Sequence, residues 1–133
     1  MAAGRYSFTI EQGTTLDFEI QYKDSNGNPI NLTGYTGKMQ IRSTYSGSGD
    51  TYLTFSSSLG DTYNKTSGSS FLSFSGSNLT TPPTSGSIGI YAGWQATNNL
   101  NFSTAFYDIE ITKGNNKTRV LEGKIQLSKQ VTD

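Results

Sequence analysis

The sequence predicts an all-β domain, an antiparallel β-sandwich built from half-buried strands. Apolar and polar side chains alternate most clearly from Thr14 to Tyr22, which is the pattern of a strand with one face in a core. The same alternation returns at 35–41, 107–111 and 121–127. At 133 residues the chain can bury one core between two layers but not two cores. We therefore expect a single domain over residues 1–133.

The composition indicates a thin core and a large solvated surface. Apolar residues make up 32% of the chain, whereas its 36 Ser and Thr and 15 Gly are many for its length. Ten basic and ten acidic residues cancel without forming runs, so we expect no nucleic-acid or membrane partner. The chain shows no apolar stretch typical of a signal peptide or a membrane span, which predicts synthesis in a cytoplasm.

The N-terminal third is predicted to hold three strands joined by tight turns. A short arm over residues 1–5 leads into a first strand from Arg5 to Ile10, and the second strand ends near Lys23. Asn26-Gly27 then supplies the positive φ of a turn. The third strand is expected from Tyr35 to Arg42.

The middle of the chain, residues 44–87, is predicted to form long loops with two or three short strands. Ser or Thr occupies 21 of its 44 positions, and β-like pieces stand at Tyr52–Phe55 and Phe71–Phe74. A long excursion of this kind is either a tolerant surface loop or a place of contact with a partner.

The C-terminal third is predicted to end in a β-hairpin. A strand is expected at Ser87–Ala92 and a short helical or irregular crossing at Trp94–Leu100. Ala105–Thr112 and Thr118–Ser128 then pair across residues 113–117, whose Gly and Asn tolerate positive φ.

Alternation also predicts which side chains face the core and which face water. On the wet face of the last hairpin, Glu110 is expected to meet Arg119, or Glu122 to meet Lys124. The apolar residues at inward positions are Phe8, Leu16, Phe18, Ile20, Met39, Ile41, Ile88, Ile90, Tyr107, Ile109, Ile111, Leu121, Ile125 and Leu127.

The chain lacks the residue types that most catalytic sites need. Without His or Cys, the usual nucleophilic triads and zinc sites cannot be built. The carboxylate pairs Asp17/Glu19 and Asp108/Glu110 stand two apart on outward strand faces, which suits a solvated sheet better than a tuned acid pair. We therefore expect a protein that is not an enzyme and that holds no cofactor or metal.

Several aromatic residues of the loop-rich half are not used by the core pattern. Two or three of them in one plane would make a platform for stacking a sugar. Alternatively, the single Trp anchors the core or a loop, because Trp is seldom left fully exposed. Together with Arg5 of the arm, the candidate contacts with a partner or glycan are Tyr45, Tyr52, Tyr63, Tyr91 and Trp94.

Segments at both ends of the chain resemble a known group of virion proteins. They read Y-S-F-T-I-E-Q-G at 6–13, Y-K-D-S-N-G-N-P-I-N-L-T-G-Y-T at 22–36, K-M-Q-I-R at 38–42, F-Y-D-I-E-I-T at 106–112 and T-R-V-L-E-G-K-I-Q-L-S at 118–128. In this order they are similar to small virion proteins of tailed bacteriophages, in the version found in phages of marine cyanobacteria. Relatives of that group include the N-terminal domains of upper baseplate proteins. The likeness covers about half of the chain and is least in its middle.

The resemblance implies an immunoglobulin-like β-sandwich that is incorporated into a virus particle. The segments that resemble the group correspond to its turns and its last hairpin, and none of their residues is a catalytic residue. We therefore expect a structural subunit of the virion, in the tail or baseplate, that contacts other virion proteins in several copies within a symmetric assembly. Two alternatives remain open: a decoration protein of the capsid, and a carbohydrate-binding module that recognises a host surface glycan.

Overall fold

The computed structural model describes residues 4–44, 49–57 and 64–129. These ranges contain nine strands, one short α-helix, and a single 3-10 turn at Pro83–Ser85. The helix α1 spans Trp94–Asn98. The strands are β1 (Gly4–Arg5), β2 (Phe8–Glu11), β3 (Leu16–Gln21), β4 (Thr36–Arg42), β5 (Thr51–Ser57), β6 (Ser70–Ser73), β7 (Ser87–Ala92), β8 (Thr104–Lys113) and β9 (Asn116–Ser128).

The strands form one mixed sheet that curls on itself. Their order is β1-β9-β8-β4-β5-β6-β7-β3, and β2 also pairs with β9. β1 and β2 run parallel to β9, and β5 meets β6 in parallel where Ser56 faces Phe71, while the other neighbours are antiparallel. The two ends of the sheet meet beside the core, where the half-buried rings of Phe8 and Phe18 lie 5.2 Å apart. The all-β prediction is confirmed, but the sheet is mixed where an antiparallel one was predicted, and an immunoglobulin-like sandwich stays a prediction.

The first predicted strand, Arg5 to Ile10, is wrong as a single element, because it divides into β1 and β2 at Tyr6 and Ser7. The break lies opposite Gly123 of β9, which has no side chain to hold the backbone of Tyr6 away. The Tyr6 N–H donates to the carbonyl of Glu122 at 3.0 Å, and the hydroxyl of Tyr107 donates to the carbonyl of Tyr6 at 2.6 Å. The N-terminal segment is therefore fastened to β9 even where its strand pairing is interrupted.

The second and third strands appear as β3 and β4, and the predicted turn lies between them. The Asp24 carboxylate accepts the backbone N–H groups of Asn26 and Asn28, both at 2.9 Å. Gly27 has a φ of 84°, which an L-residue rarely adopts. The chain therefore closes this turn with its own side chain and glycine.

The described residues of the loop-rich middle contain two strands, β5 and β6, where two or three short ones were expected. The expectations for residues 45–48 and 58–63, including Tyr45 and Tyr63, lie outside the described residues. The predicted C-terminal hairpin is also confirmed, with β8 and β9 paired from Thr104–Gln126 to Lys113–Asn116 around a tight turn.

The crossing after β7, predicted to be helical or irregular, is helical and is tied to the turn between β2 and β3. Thr97 of α1 is fully buried, and its hydroxyl donates to the carbonyl of Thr14 at 2.7 Å. The same oxygen accepts the N–H of Gly13 at 3.1 Å. One buried hydroxyl therefore satisfies two backbone groups of a turn that is distant in sequence.

The core contains most of the predicted inward residues, but not all of them. Five lie only half-buried against it, four of them on β2 and β3: Phe8, Leu16, Phe18, Ile20 and Leu121. The confirmed core residues are Met39, Ile41, Ile88, Ile90, Tyr107, Ile109, Ile111, Ile125 and Leu127. Core residues that the sequence analysis missed include Ile10, Leu32, Phe55, Leu72, Leu100 and Phe102.

Candidate functional site

A polar groove lies on the outer face of β4, β8 and β9. Because alternate residues of a strand point to opposite faces, burial of Met39, Ile41 and Ile109 turns the residues between them outward. The groove has a volume of about 160 Å³. Its lining residues are Gln40, Arg42, Thr44, Phe106, Tyr107, Asp108, Glu110 and Arg119.

Strand register arranges these outward side chains in rows across the sheet. Residues directly opposite each other on paired strands share a face, and their Cβ atoms lie roughly 4.5–5.5 Å apart. β8 is the central strand, with β4 on one side and β9 on the other. The rows that contain groove residues are Arg42-Phe106-Lys124, Gln40-Asp108-Glu122 and Lys38-Glu110-Arg119.

The Asp108 carboxylate is the electrostatic centre of the groove. Its side chain is only 26% exposed, and its Oδ2 lies 3.3 Å from Nε of Arg119. Burial raises the pKa of Asp108 above the ordinary value of an aspartate, and the nearby charges of Glu110 and Glu122 raise it further. Arg119 and Arg42 act in the opposite direction. Asp108 is thus a partly desolvated acceptor surrounded by charges of both signs.

The ion pairs expected on this face differ from those that the structure forms. The register does place Arg119 opposite Glu110, but β8 and β9 shift register beside Glu110, and the guanidinium pairs with Asp108. Lys124, expected to meet Glu122, has its ammonium 6.0 Å from the ring centroid of Phe106. Arg119 thus forms an ion pair with Asp108 and stands opposite Glu110 in the register.

Asp108→Asn is expected to change how stability depends on pH. Because the pKa of Asp108 is raised on folding, the folded protein binds this proton more tightly than the unfolded chain does. The resulting stabilisation is fully present below the ordinary pKa of aspartate and is lost as the pH rises through the raised value. Relative to the variant, the wild type should therefore gain stability as the pH falls. Urea denaturation of both proteins from about pH 7 to pH 3 tests this, and a difference that stays constant would contradict it.

A second feature, the edge cleft, lies where the two ends of the curled sheet approach each other. It has a volume of about 310 Å³ and lies between the end of β3 and the paired β1 and β9. In the described part of the chain, β3 pairs only with β7, while β1 and β2 pair only with β9. Its lining residues are Gly4, Ile20, Gln21, Tyr22, Lys23, Arg119, Val120 and Leu121.

The structure places the predicted contact residues in different environments. Arg5 is exposed in β1, and Trp94 is 48% exposed at the start of α1, so Trp94 is not the core anchor that its residue type suggested. Tyr52 is half-buried and stacks on Phe102, with ring centroids 4.8 Å apart. Tyr91 is buried, and its hydroxyl donates to the carbonyl of Thr66 at 3.0 Å.

Two surface aromatic residues were missed by the sequence analysis. Tyr6 is 51% exposed and stacks on Phe8 at 5.8 Å. Phe106 stands in the groove, between the inward residues Ala105 and Tyr107. An apolar ring at an outward position of a clearly alternating strand was the sequence signal that could have found the groove.

Metal clusters, membrane-spanning helices and sequence matches do not point to a function for the described part of this chain. Over residues 4–44, 49–57 and 64–129, no three His, Cys, Asp or Glu residues gather in a way that could hold a metal ion. Within the same ranges, no helix is long and apolar enough to cross a membrane. Neither a family model nor a curated protein sequence matches this chain.

Proposed function

We propose that this protein is a non-enzymatic structural subunit of a tailed-bacteriophage virion, located in the tail or baseplate, that makes contacts with other virion proteins. The observation that carries the proposal is the pair of sheet edges, β3 and β1–β2, that flank the edge cleft and pair with no further strand in the described residues. Open edges present unpaired backbone groups, to which a strand of a neighbouring subunit can add. The sequence resemblance given above supplies the virion as the place where such neighbours occur.

The free edge of β3 offers a regular set of backbone donors and acceptors. The Tyr22 N–H donates to the carbonyl of Gly86 at 2.8 Å, which fixes the hydrogen-bonding phase of β3 against β7. Because antiparallel strands alternate between bonded and non-bonded pairs, the backbone groups of Asp17 and Glu19 point away from β7. These groups could pair with an added strand.

Charged side chains commonly prevent a further strand from adding to an edge of this kind. The two acidic side chains of β3 instead form contacts with other segments. Asp17 pairs with the ammonium of Lys65 at 2.9 Å, and the carboxylate of Glu19 accepts the N–H of Ser77 at 2.8 Å. These contacts hold the carboxylate of Asp17 against the segment between β5 and β6, and that of Glu19 against the segment between β6 and β7. The edge is thus less protected than its two acidic residues suggest, which favours an assembly role.

Gold labelling of phage particles with an antibody to this protein tests the location. We expect label at the tail end of intact particles, as viewed by electron microscopy. Label over the head would replace this proposal with capsid decoration. Particles without label, when denatured particles show that the antibody recognises the protein, would overturn a virion role.

Deletion of residues 1–5 is expected to weaken assembly while the domain still folds. Only Gly4 and Arg5 of this segment pair with β9 in the described structure, so the loss of stability should be small. Incorporation of the truncated protein into particles, measured against wild type in the same infection, should fall. Arg5→Ala is the matched control for the charge alone. Equal incorporation of wild type and truncated protein would remove the arm from the assembly contact.

A further inference from the structure

The edge cleft is bordered by backbone groups whose direction is fixed by the pairing of β3 with β7. Ile20 stands opposite Ile88, two residues before the hydrogen-bonded pair of Tyr22 and Gly86, and therefore bonds to β7 as well. Gln21, which lies between them and lines the cleft, directs its N–H and carbonyl away from β7. An extended segment in the cleft would meet these groups as one strand of a sheet meets the next.

The apolar side chains that line the cleft are only partly covered by the protein. Ile20 and Tyr22 on one side and Leu121 on the other are half-buried, although all three pack against the core. Further along the same two edges, the rings of Phe8 and Phe18 are half-buried where they meet at 5.2 Å. A strand with apolar residues at every second position would cover these side chains, because alternate residues of a strand point to one face.

The charged side chains that line the cleft are basic. They are Lys23, which is exposed just after β3, and Arg119 of β9, and none of the described residues that line the cleft is acidic. Arg119 forms its ion pair with Asp108 inside the protein. We therefore assign to Lys23 the contact with a carboxylate of a partner, since complementary charges favour the right partner over others.

We propose that the edge cleft binds an extended peptide segment of a partner protein, which has apolar residues at alternate positions and an acidic residue between them. The segment lies beside β3 and exchanges backbone hydrogen bonds with Gln21 and, further along the edge, with Glu19 and Asp17. Its apolar side chains cover Ile20, and its carboxylate reaches Lys23. That the partner is another virion protein rests on the proposed function, whereas binding itself can be measured on the purified protein.

Selection from a bead-bound library of random ten-residue peptides tests this binding on the full chain. We expect enrichment of sequences that alternate apolar with polar residues and that carry Asp or Glu. Each enriched peptide is compared with a peptide of the same composition in scrambled order. The scrambled peptide should bind about tenfold more weakly, because it cannot present its apolar residues on one face.

Hydrogen exchange of the backbone amides shows whether an enriched peptide binds as a strand. The amides of Glu19 and Gln21 point away from β7 and should gain protection when the peptide binds. The amides of Phe18 and Ile20 bond to β7 and should change little. A peptide that binds without protecting Glu19 and Gln21 would overturn the proposal, because its contacts would then be those of charge or apolar surface alone.

Lys23→Glu is expected to weaken binding of the enriched acidic peptides about tenfold, because it reverses the charge that they meet. Lys129→Glu is the matched control, since Lys129 is also exposed but follows the far end of β9. The control should bind as the wild type does, and both variants should keep the wild-type melting temperature. Equal binding by the two variants would contradict the role of Lys23 and overturn the proposal.

The strand-binding proposal and the virion proposal fail on different results. If no enriched peptide bound better than its scrambled form, the edge cleft would not be a site for a peptide strand, and particle labelling would still decide the virion role. Particles without label would overturn the virion role, and strand binding by the purified protein would stand on its own result.

Discussion

Phe55→Ala is expected to destabilise the domain by about 3–5 kcal/mol, among the largest effects of a single core truncation. Phe55 is 0% exposed and stands in β5 opposite Met39 of β4. The next residue, Ser56, faces Phe71 where β5 meets β6. Removal of the ring therefore opens a cavity beside the junction that joins the two halves of the curled sheet.

Urea denaturation, followed by fluorescence and circular dichroism, measures this loss. Phe55→Leu keeps most of the apolar volume and should cost distinctly less than the alanine variant. Thr54→Ala, at the neighbouring half-buried position, is the matched control and should cost about 1 kcal/mol or less. If Phe55→Ala cost no more than Thr54→Ala, the junction would not depend on this ring.

The strands could be predicted from sequence where alternation is regular. In β8, Tyr107, Ile109 and Ile111 point inward because every second residue of a strand shares a face, and the structure agrees. The burial of Leu32 and Leu100 could not be found in this way, since both lie outside strands and have no periodic neighbours. Periodicity reports only the residues that regular secondary structure places in the core.

Pairing between distant segments was harder to predict than the segments themselves. Nothing local specifies that β1 and β2 run parallel to β9, because that choice depends on contacts more than 100 residues apart in sequence. The polar groove has the same origin. Gln40 and Asp108 meet through the register of β4 on β8. The sequence therefore indicated a solvent-exposed face of the sheet but not the groove on it.

Trp94 shows how residue type alone can mislead. A large aromatic residue is usually covered, yet this one begins a five-residue helix and is 48% exposed. The neighbouring Gly93 is buried, and a side chain there would overlap the backbone of Thr66 and Ser67. The close approach of that loop occupies the space beside Gly93 and leaves the indole outside.

Gly123→Ala is expected to detach the N-terminal segment from β9 and to cost about 2–5 kcal/mol, the sum of overpacking and of a lost buried hydrogen bond. A Cβ at position 123 would overlap the carbonyl of Tyr6, whose carbon would lie 2.7 Å away. It would also lie 3.1 Å from Cε1 of Tyr107. Backbone is the main obstacle, so rotation of a side chain cannot relieve the overlap.

The cost follows from what holds Tyr6 in place. Its N–H donates to Glu122 at 3.0 Å, and its carbonyl accepts the buried Tyr107 hydroxyl at 2.6 Å. If Tyr6 moves away, that hydroxyl loses its hydrogen bond to the Tyr6 carbonyl, and the pairing of β1 with Leu121 and Glu122 is lost with it. Tyr107→Phe removes only the hydroxyl and should cost about 1 kcal/mol, which separates the hydrogen bond from the steric overlap.

Hydrogen exchange of the β2 amides, together with urea denaturation, measures the effect of Gly123→Ala. Protection of Phe8 and Ile10 should fall more than protection of the β4 amides, because β9 is the one strand with which β2 pairs in the described residues. Gly4→Ala is the matched control, since its added Cβ would meet only the flexible end of Leu121 at 3.3 Å and a carbonyl oxygen at 3.7 Å. Unchanged stability and unchanged β2 protection in Gly123→Ala would mean that the backbone of Tyr6 does not rest on position 123.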